Sequence, residues 1–254
     1  MDKAEACRHY KMAAEGDIPV AVHAFADCLR DGEGQPANTK LAAQWYQKAV
    51  ELAYYPAFCS LAELYVAGRG VEQDRARGLE LCQQAAQYGN VAAMERMARF
   101  YMEGDNALRD PVAAQQWLLL AAQRNSPPSQ YRLAVLLREG GGQNPDIEDL
   151  TTALFWFESA ASQGYMPAYF PTAELYFKTP KDSQTQLWPE QALAKAYLWL
   201  SATQQRSTDP AEKREVTLML EQVLEVMPAS WVKDLNAQVA AHLALHTQAL
   251  NHAG

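Results

Sequence analysis

Residues 42–74 read AAQWYQKAVELAYYPAFCSLAELYVAGRGVEQD and contain two stretches of helical apolar spacing, followed by a glycine-rich turn. The first stretch places Trp45, Tyr46 and Ala49 on one helix face. The second places Ala57 and Leu61 in the same way before the tripeptide Gly-Arg-Gly. The segment therefore predicts a pair of amphipathic helices.

This pattern recurs along the chain at a spacing of 36 residues. Equivalent apolar positions are Ala21, Ala57 and Ala93, and then Phe25, Leu61, Met97 and Leu133. An internal repeat of this length indicates stacked helix pairs, because one pair cannot bury its apolar face without a neighbour.

The Gly-Arg-Gly could bind phosphate or end a helix. No Lys-Ser or Lys-Thr follows it, no strand precedes it, and a related Gly-x-Gly or Gly-x-Asn turn recurs in the first four units, so the pattern favours a helix end. The predicted turn positions are Gly32, Gly34, Gly68, Gly70, Gly104, Asn106, Gly140 and Gly142. The first position of each turn suits a left-handed residue after the last helical turn, and Asn is the next best residue after Gly at positive φ. Asp74 and Asp110 then cap the following helices, and Pro111 occupies a first helical position.

Composition excludes several classes of function. The chain of 254 residues is 49% hydrophobic and carries 22 basic and 30 acidic residues, for a net charge of -8. This charge disfavours a nucleic-acid partner, and no apolar run is long enough for membrane insertion. The N-terminus lacks a signal-peptide core, which predicts a cytoplasmic protein; a periplasmic or secreted location stays open if a leader was removed.

The four cysteines are Cys7, Cys28, Cys59 and Cys82, and no Cys-x-x-Cys pair occurs. Their spacing suits neither zinc nor redox chemistry, so we expect buried free thiols that pack as small apolar residues. Disulfides are the alternative, and they would require an exported protein.

Residues 42–74 resemble the Sel1-like repeat, a relative of the tetratricopeptide repeat, with Ala53 where that family has Gly. The resemblance covers nearly all of residues 2–205. It implies an all-α, right-handed superhelical solenoid of about five to six helix pairs in a single domain, with a C-terminal capping helix and a concave surface lined by the first helix of each pair. The implied repeats are about 2–39, 40–75, 76–111, 112–151 and 152–191, and residues 192–254 supply the last repeat helix and the capping helices.

The same resemblance implies a protein or peptide partner. On the helix face opposite Trp45 and Tyr46, the first helices of the repeats carry mostly glutamine. In the fourth and fifth repeats, some of these positions are apolar. The predicted partner-binding residues are Gln44, Lys48, Gln84, Gln116, Leu119, Leu120, Phe155 and Trp188. The glutamines could instead form ordinary solvated helix surface. The two leucines and Phe155 could instead pack between repeats. Trp188 could instead plug the end of the last full repeat.

Candidate catalytic residues are few. The sequence contains neither a Gly-x-Ser-x-Gly nor a His-Glu-x-x-His motif, and His242 and His246 stand one helical turn apart without a third ligand, which favours a packing or surface role. We therefore predict a non-enzymatic adaptor without metal or cofactor. By resemblance, the alternatives are an immunity protein against a secreted bacterial effector and an enzyme of the cysteine-rich, β-lactamase-like type. The members with that activity repeat a cysteine pair in every unit. This chain has no such repeated pair and no cysteine after Cys82, which weakens the enzyme alternative.

Overall fold

The computed structural model describes residues 2–104, 108–139 and 150–252. Within these ranges every regular element is a helix, which confirms the all-α class. The chain divides into two compact units, Met1–Ala121 and Ala122–Gly254. That the two units act as a single domain stays a prediction.

The first unit consists of successive helices, and each of the first five packs against the helix that follows it. They are α1 (Lys3–Glu15), α2 (Pro19–Asp31), α3 (Thr39–Glu51), α4 (Tyr55–Ala67), α5 (Arg75–Gln87), α6 (Val91–Glu103) and most of α7 (Pro111–Gln123). Their shared core contains the fully buried Tyr46, Leu61, Leu64, Leu81 and Met97. The apolar positions that repeat in the sequence therefore supply this core.

The second unit continues with helix pairs and ends in long helices. Its helices are α8 (Pro127–Arg138), α9 (Leu150–Ser162), α10 (Tyr169–Phe177, after a 3₁₀ turn at Met166–Ala168), α11 (Glu190–Arg206), α12 (Pro210–Val226) and α13 (Ala229–His252). Both α12 and α13 pack against α11. Each contributes a buried stripe at helical spacing, with Val216 and Val223 on α12 and Val239 and Leu243 on α13. These two helices cover the last repeat helix, as the predicted capping helix should.

The predicted N-caps are present. The Asp74 carboxylate accepts a hydrogen bond from the Arg77 backbone N–H at 2.9 Å, and the Asp110 carboxylate accepts one from Ala113 N–H at 3.0 Å. Pro111 is the first residue of α7. Each cap satisfies a backbone donor that the first helical turn leaves free.

Four predicted turn glycines have left-handed backbone, namely Gly32 (φ +74°), Gly34 (φ +74°), Gly68 (φ +65°) and Gly70 (φ +75°). Gly70 also makes a close backbone approach. A Cβ at this position would lie 2.4 Å from the carbonyl carbon of Thr39 and 2.6 Å from the backbone nitrogen of Lys40. The second glycine of the turn is therefore required by space as well as by conformation.

The prediction of a left-handed Gly104 was wrong. Gly104 ends α6 with extended backbone, at φ -60° and ψ 161°. Glycine is still needed there, because a Cβ would lie 2.3 Å from the Phe100 carbonyl oxygen that accepts its N–H. The predicted turn residues Asn106, Gly140 and Gly142 lie outside the described residues.

The turn within a helix pair also requires a left-handed residue. Asp17, Ala53 and Asn125 have φ of 60°, 56° and 64° at this turn, and Gly89 and Gly164 hold the same position in other pairs. Ala53 is the least suited of these residues, because its Cβ disfavours left-handed backbone and it has no polar side chain to compensate.

Replacing Ala53 with glycine is therefore expected to stabilise the first unit. Because glycine adopts left-handed backbone without the penalty of a Cβ, the free energy of unfolding should rise by about 1 kcal/mol. Urea denaturation would measure this change. Ala241→Gly is the matched control, since Ala241 is exposed within α13 and the same change should cost about 1 kcal/mol there. A loss of stability in Ala53→Gly would contradict the assigned turn.

The expectation of free thiols was wrong. The structure contains two disulfides, Cys7–Cys28 and Cys59–Cys82, with Cα–Cα distances of 5.9 and 4.3 Å. The first joins α1 to α2, and the second joins α4 to α5. The cysteine side chains are buried as predicted. Each pair lies where two neighbouring helices meet, and the two sulfurs there form a disulfide.

Candidate interaction surface

The three glutamines predicted to bind a partner lie on first helices of the repeats and reach the solvent. Gln44 and Gln116 are exposed, and Gln84 is partly exposed. Leu119 and Leu120 are adjacent on α7 and keep 37% and 42% of their surface exposed. Packing within the described structure therefore leaves both leucines partly accessible to a partner.

Lys48 has a different environment. Its ammonium forms a 2.5 Å ion pair with Asp17, lies 3.5 Å from the Ala14 carbonyl oxygen and is 4.9 Å from the centre of the Trp45 ring. These contacts join α3 to the turn between α1 and α2. Its predicted partner-binding role stays a prediction, and the contacts describe a lysine that holds two repeats together.

A cleft of about 390 Å³ opens beside Gln44. Its apolar lining comes from Ala43, Leu61 and Val71, and Lys40 lies at its margin. The cleft thus lies between α3, α4 and the turn that follows α4. Sequence reasoning named Gln44 but missed the cleft, because the space depends on how two helices pack.

In the second unit, Phe155 is the most exposed aromatic residue of the predicted set, at 60%. Its ring lies edge-on to Trp156, with 4.9 Å between ring centres. On the same helix, Leu150 and Leu154 line a cleft of about 540 Å³. At the edge of this cleft, Glu174 pairs with Lys178 at 2.6 Å. Helix α9 therefore presents apolar side chains at a surface opening.

Trp188 closes the irregular loop after α10. Its indole Nε1 donates a 2.9 Å hydrogen bond to the Phe177 carbonyl oxygen, and the two rings are 5.3 Å apart. The Lys181 ammonium lies 3.8 Å from the centre of the indole ring. These contacts fit the alternative interpretation, in which Trp188 plugs the end of the last full repeat. Partner binding by Trp188 stays a prediction.

A polar network on the second helices of the first unit was missed by sequence reasoning. Tyr46 donates a 2.6 Å hydrogen bond from its hydroxyl to Asp27, and Arg30 donates a 3.0 Å hydrogen bond to the same hydroxyl. Burial and the Asp27 carboxylate raise the pKa of Tyr46. The phenol therefore stays protonated and joins α3 to α2.

The same network contains a serine, a histidine and an aspartate in the order used by serine hydrolases. Ser60 Oγ lies 3.0 Å from His23 Nε2, and His23 Nδ1 lies 3.3 Å from Asp27 Oδ2. Ser60 is only 2% exposed, however, and its hydroxyl donates to the Pro56 carbonyl oxygen. Because a nucleophile must reach the carbonyl it attacks, this arrangement is structural.

A second network, in the second unit, surrounds Glu158. The Glu158 carboxylate accepts hydrogen bonds of 2.6 Å from both Lys195 and Tyr176. Burial raises the pKa of Glu158, but the hydrogen bonds from Lys195 and Tyr176 outweigh this effect and the pKa is lowered overall. Glu158 is thus an ion-pair partner that links α9 to α10 and α11, and it is poorly suited to act as a general acid.

The predicted packing role of the histidine pair fits the contacts. His242 Nε2 lies 3.0 Å from the Tyr169 hydroxyl, and its ring is edge-on to Trp199 at 5.3 Å. His246 Nε2 lies 3.2 Å from the Ser162 carbonyl oxygen. The two imidazoles hold α13 against α9, α10 and α11.

This packing makes stability depend on pH. Burial lowers the pKa of His242, and the nearby His246 and Arg206 lower it further. The unfolded chain therefore binds a proton more readily than the folded chain, so the stability that a neutral His242 contributes is present above the unfolded pKa and lost as pH falls below it.

We expect the melting temperature of the wild type to fall from about pH 7.5 to about pH 5, and to fall less in His242→Gln. His9→Gln is the control, because His9 is exposed on α1. Thermal melts followed by circular dichroism at each pH provide the measurement. Equal pH dependence in all three proteins would show that His242 does not titrate in this way.

Among the described residues, one group has metal-ligand proximity: Cys7, Cys28 and Glu33. Both sulfurs are in a disulfide, so the thiolates that would bind a metal are absent. The described part of the chain also contains no helix with both the length and the apolarity to cross a bilayer.

Comparison with known proteins agrees with this architecture. The chain is 31% identical over 127 residues to a chitin synthase regulator of Saccharomyces cerevisiae, SKT5, covering 49% of this chain and 18% of that protein. It is 29% identical to an uncharacterised protein of Neisseria meningitidis over 63% of this chain and 32% of that protein. The chain thus spans at most a third of the length of these two relatives.

A solved Sel1 repeat protein from Oxalobacter formigenes matches with a TM-score of 0.60 and 26% identity, covering 81% of this chain and 80% of that one. The sequence model of the Sel1 repeat matches residues 2–17, 20–54, 59–90, 91–126 and 127–165. These matches cover more than half of the chain, and the helix pairs described above supply the corresponding structure, so the protein belongs to the Sel1 repeat family.

Proposed function

We propose that the protein is a non-enzymatic scaffold that binds a protein partner through the solvent-exposed face of its first helices. The observation that carries this proposal is the exposure of Leu119 and Leu120 on α7. Burying two such side chains against a partner contributes roughly 1.5–3 kcal/mol each, and adjacent exposed apolar side chains are a feature of interaction sites. Phe155 provides a further exposed apolar side chain in the second unit.

The proposal that the protein is not an enzyme has separate support. The one hydrolase-like arrangement described above has an inaccessible serine, and Glu158 is held in an ion pair. The hydrogen bonds and ion pairs of both networks join neighbouring helices.

The two disulfides also bear on where the partner is met. Disulfides persist in oxidising compartments and are rare in the cytosol. We therefore propose a periplasmic or extracellular location in place of the cytoplasmic one that the sequence predicts. The partner should then be sought among envelope or secreted proteins.

The test is an affinity pull-down from the native organism without reductant, using wild type, Leu119→Glu/Leu120→Glu and Phe155→Glu. Leu218→Glu is the control, because Leu218 is exposed on α12, which is not the first helix of a repeat. We expect one dominant partner, identified by mass spectrometry, to be lost with the double variant and retained with the control. Calorimetry with the purified partner then measures the affinity.

Capture that is equal in all variants would exclude the first-helix face, and no capture by the wild type would exclude the scaffold role under these conditions. A single captured toxic enzyme would favour the immunity-protein alternative. Unchanged melting curves for each variant are needed, since misfolding also abolishes capture.

A further inference from the structure

The cleft between α3, α4 and the following turn combines an apolar floor with unused polar groups. Ala43, Leu61 and Val71 form the floor, and Lys40, Gln44 and Tyr65 border it. Its volume of about 390 Å³ lies in the range of sites that hold small ligands or single side chains. The cleft is open to solvent, so it has room for a residue within a longer chain.

Ala43 is a small residue in the floor of the cleft. The same repeat position holds Leu79 in the next repeat, Gln115 in the fourth and Leu154 in the fifth. Leu79 is partly buried against the core of the first unit, whereas Leu154 itself lines a cleft of the second unit. A longer side chain at position 43 is therefore a direct test of the cleft beside Gln44.

The charge in the cleft is positive. Lys40 is the charged residue of its lining, and no described residue forms an ion pair or hydrogen bond with its ammonium. In contrast, Lys48, on the same helix, pairs with Asp17 at 2.5 Å. A lysine without a partner beside an apolar floor favours a ligand that carries a carboxylate next to an apolar group.

The neutral groups suit a peptide. The Gln44 amide and the Tyr65 hydroxyl form no hydrogen bond with a described side chain. A glutamine amide offers both a donor and an acceptor, which match the C=O and N–H of an extended backbone. Because the floor takes an apolar side chain and the margin takes a carboxylate, the two features fit adjacent groups of one chain.

We propose that this cleft binds an internal segment of a partner peptide that carries an acidic side chain next to a large apolar side chain, with Lys40 as the ion-pair partner and Ala43 in the floor. This inference rests on the proposed scaffold function and names the chemistry of its ligand. Binding of a free C-terminus alone is the outcome of the test that would overturn it.

The experiment is an NMR titration of the ¹⁵N-labelled full chain with four peptides. Acetyl-Gly-Gly-Leu-Glu-Gly-Gly-amide and its Gln counterpart test an internal acid. Acetyl-Gly-Gly-Leu as the free acid and as the amide test a C-terminal one. We expect saturable shifts at the amides of Ala43, Gln44 and Val71 with the internal acid, and weaker binding by its Gln counterpart and by both C-terminal peptides.

Three variants locate the effect. Lys40→Gln should weaken the binding of the acid by roughly ten-fold, and Ala43→Leu, which copies Leu79 and Leu154, should abolish it. Lys233→Gln makes the same charge change on an exposed part of α13 and should leave the affinity unchanged. Unchanged dispersion of the remaining NMR signals shows that each variant is folded.

Neutral peptides that bind as well as the acids would overturn the role of Lys40, and the absence of shifts with all four would overturn the site. The pull-down separates this inference from the proposed function. Capture of the partner by Ala43→Leu at the wild-type level would refute the cleft and leave the scaffold role intact.

Discussion

Breaking the two disulfides is expected to produce the largest loss of stability. In the chain-entropy account, a cross-link that closes a loop of about 20 residues stabilises the folded state by about 3 kcal/mol. The closed segments here have sequence separations of 21 and 23 residues. We therefore expect Cys7→Ala/Cys28→Ala and Cys59→Ala/Cys82→Ala each to lose about 3 kcal/mol in urea denaturation.

The control is the same series in the presence of a phosphine reductant. Under those conditions the wild type should lose most of its advantage over both double variants, because its cross-links are then open. Alkylation and mass spectrometry of the untreated wild type should find no free thiol. Reactive thiols in the unfolded, untreated protein would show that the disulfides do not form.

The second large effect is expected at Gly70. An alanine there meets the backbone of Thr39 and Lys40 at 2.4–2.6 Å and must also keep φ at +75°. Backbone atoms cannot move aside as the end of a flexible side chain can, so Gly70→Ala should cost about 3 kcal/mol in the free energy of unfolding.

Gly68 provides the matched comparison. Its φ is +65°, but the nearest atom to an added Cβ is Gln73 Cβ at 3.0 Å. Gly68→Ala should therefore carry mainly the conformational cost, about 1 kcal/mol. Equal losses in the two variants would show that the approach of Gly70 to Thr39 contributes nothing.

Local backbone chemistry explains which parts of the fold could be predicted from sequence. Gly68, Gly70 and Asp74 act within one turn, so their residue types carry the information needed to place them. Gly104 shows the limit of this reasoning, because a glycine can also be required by a nearby carbonyl oxygen while its backbone stays extended.

The disulfide between Cys59 and Cys82 was missed although the repeat contains a signal for it. One period earlier, the same two positions hold His23 and Tyr46, whose rings lie 5.5 Å apart. The contact between the second helix of one repeat and the first helix of the next therefore recurs in register. A comparison of equivalent positions in successive repeats would have predicted that Cys59 and Cys82 are neighbours. Their spacing along the chain does not show this.

The candidate site was only partly predictable for a related reason. Exposure of Leu119, Leu120 and Phe155 follows from helical periodicity, which sequence shows directly. The engagement of Lys48 by Asp17 and the opening beside Ala43 depend on how separate helices approach each other. No residue pattern within a single helix contains that information.

The two disulfides also determine how far the chain can be stretched. When the helices are pulled apart, the disulfides keep the ends of segments 7–28 and 59–82 together. These segments, with sequence separations of 21 and 23, therefore do not add to the extended length of the chain. At about 3.5 Å per residue, the oxidised chain should be shorter by roughly 150 Å than the reduced chain under mechanical load. Both cross-links lie in the first unit, so the second unit would yield its full contour length.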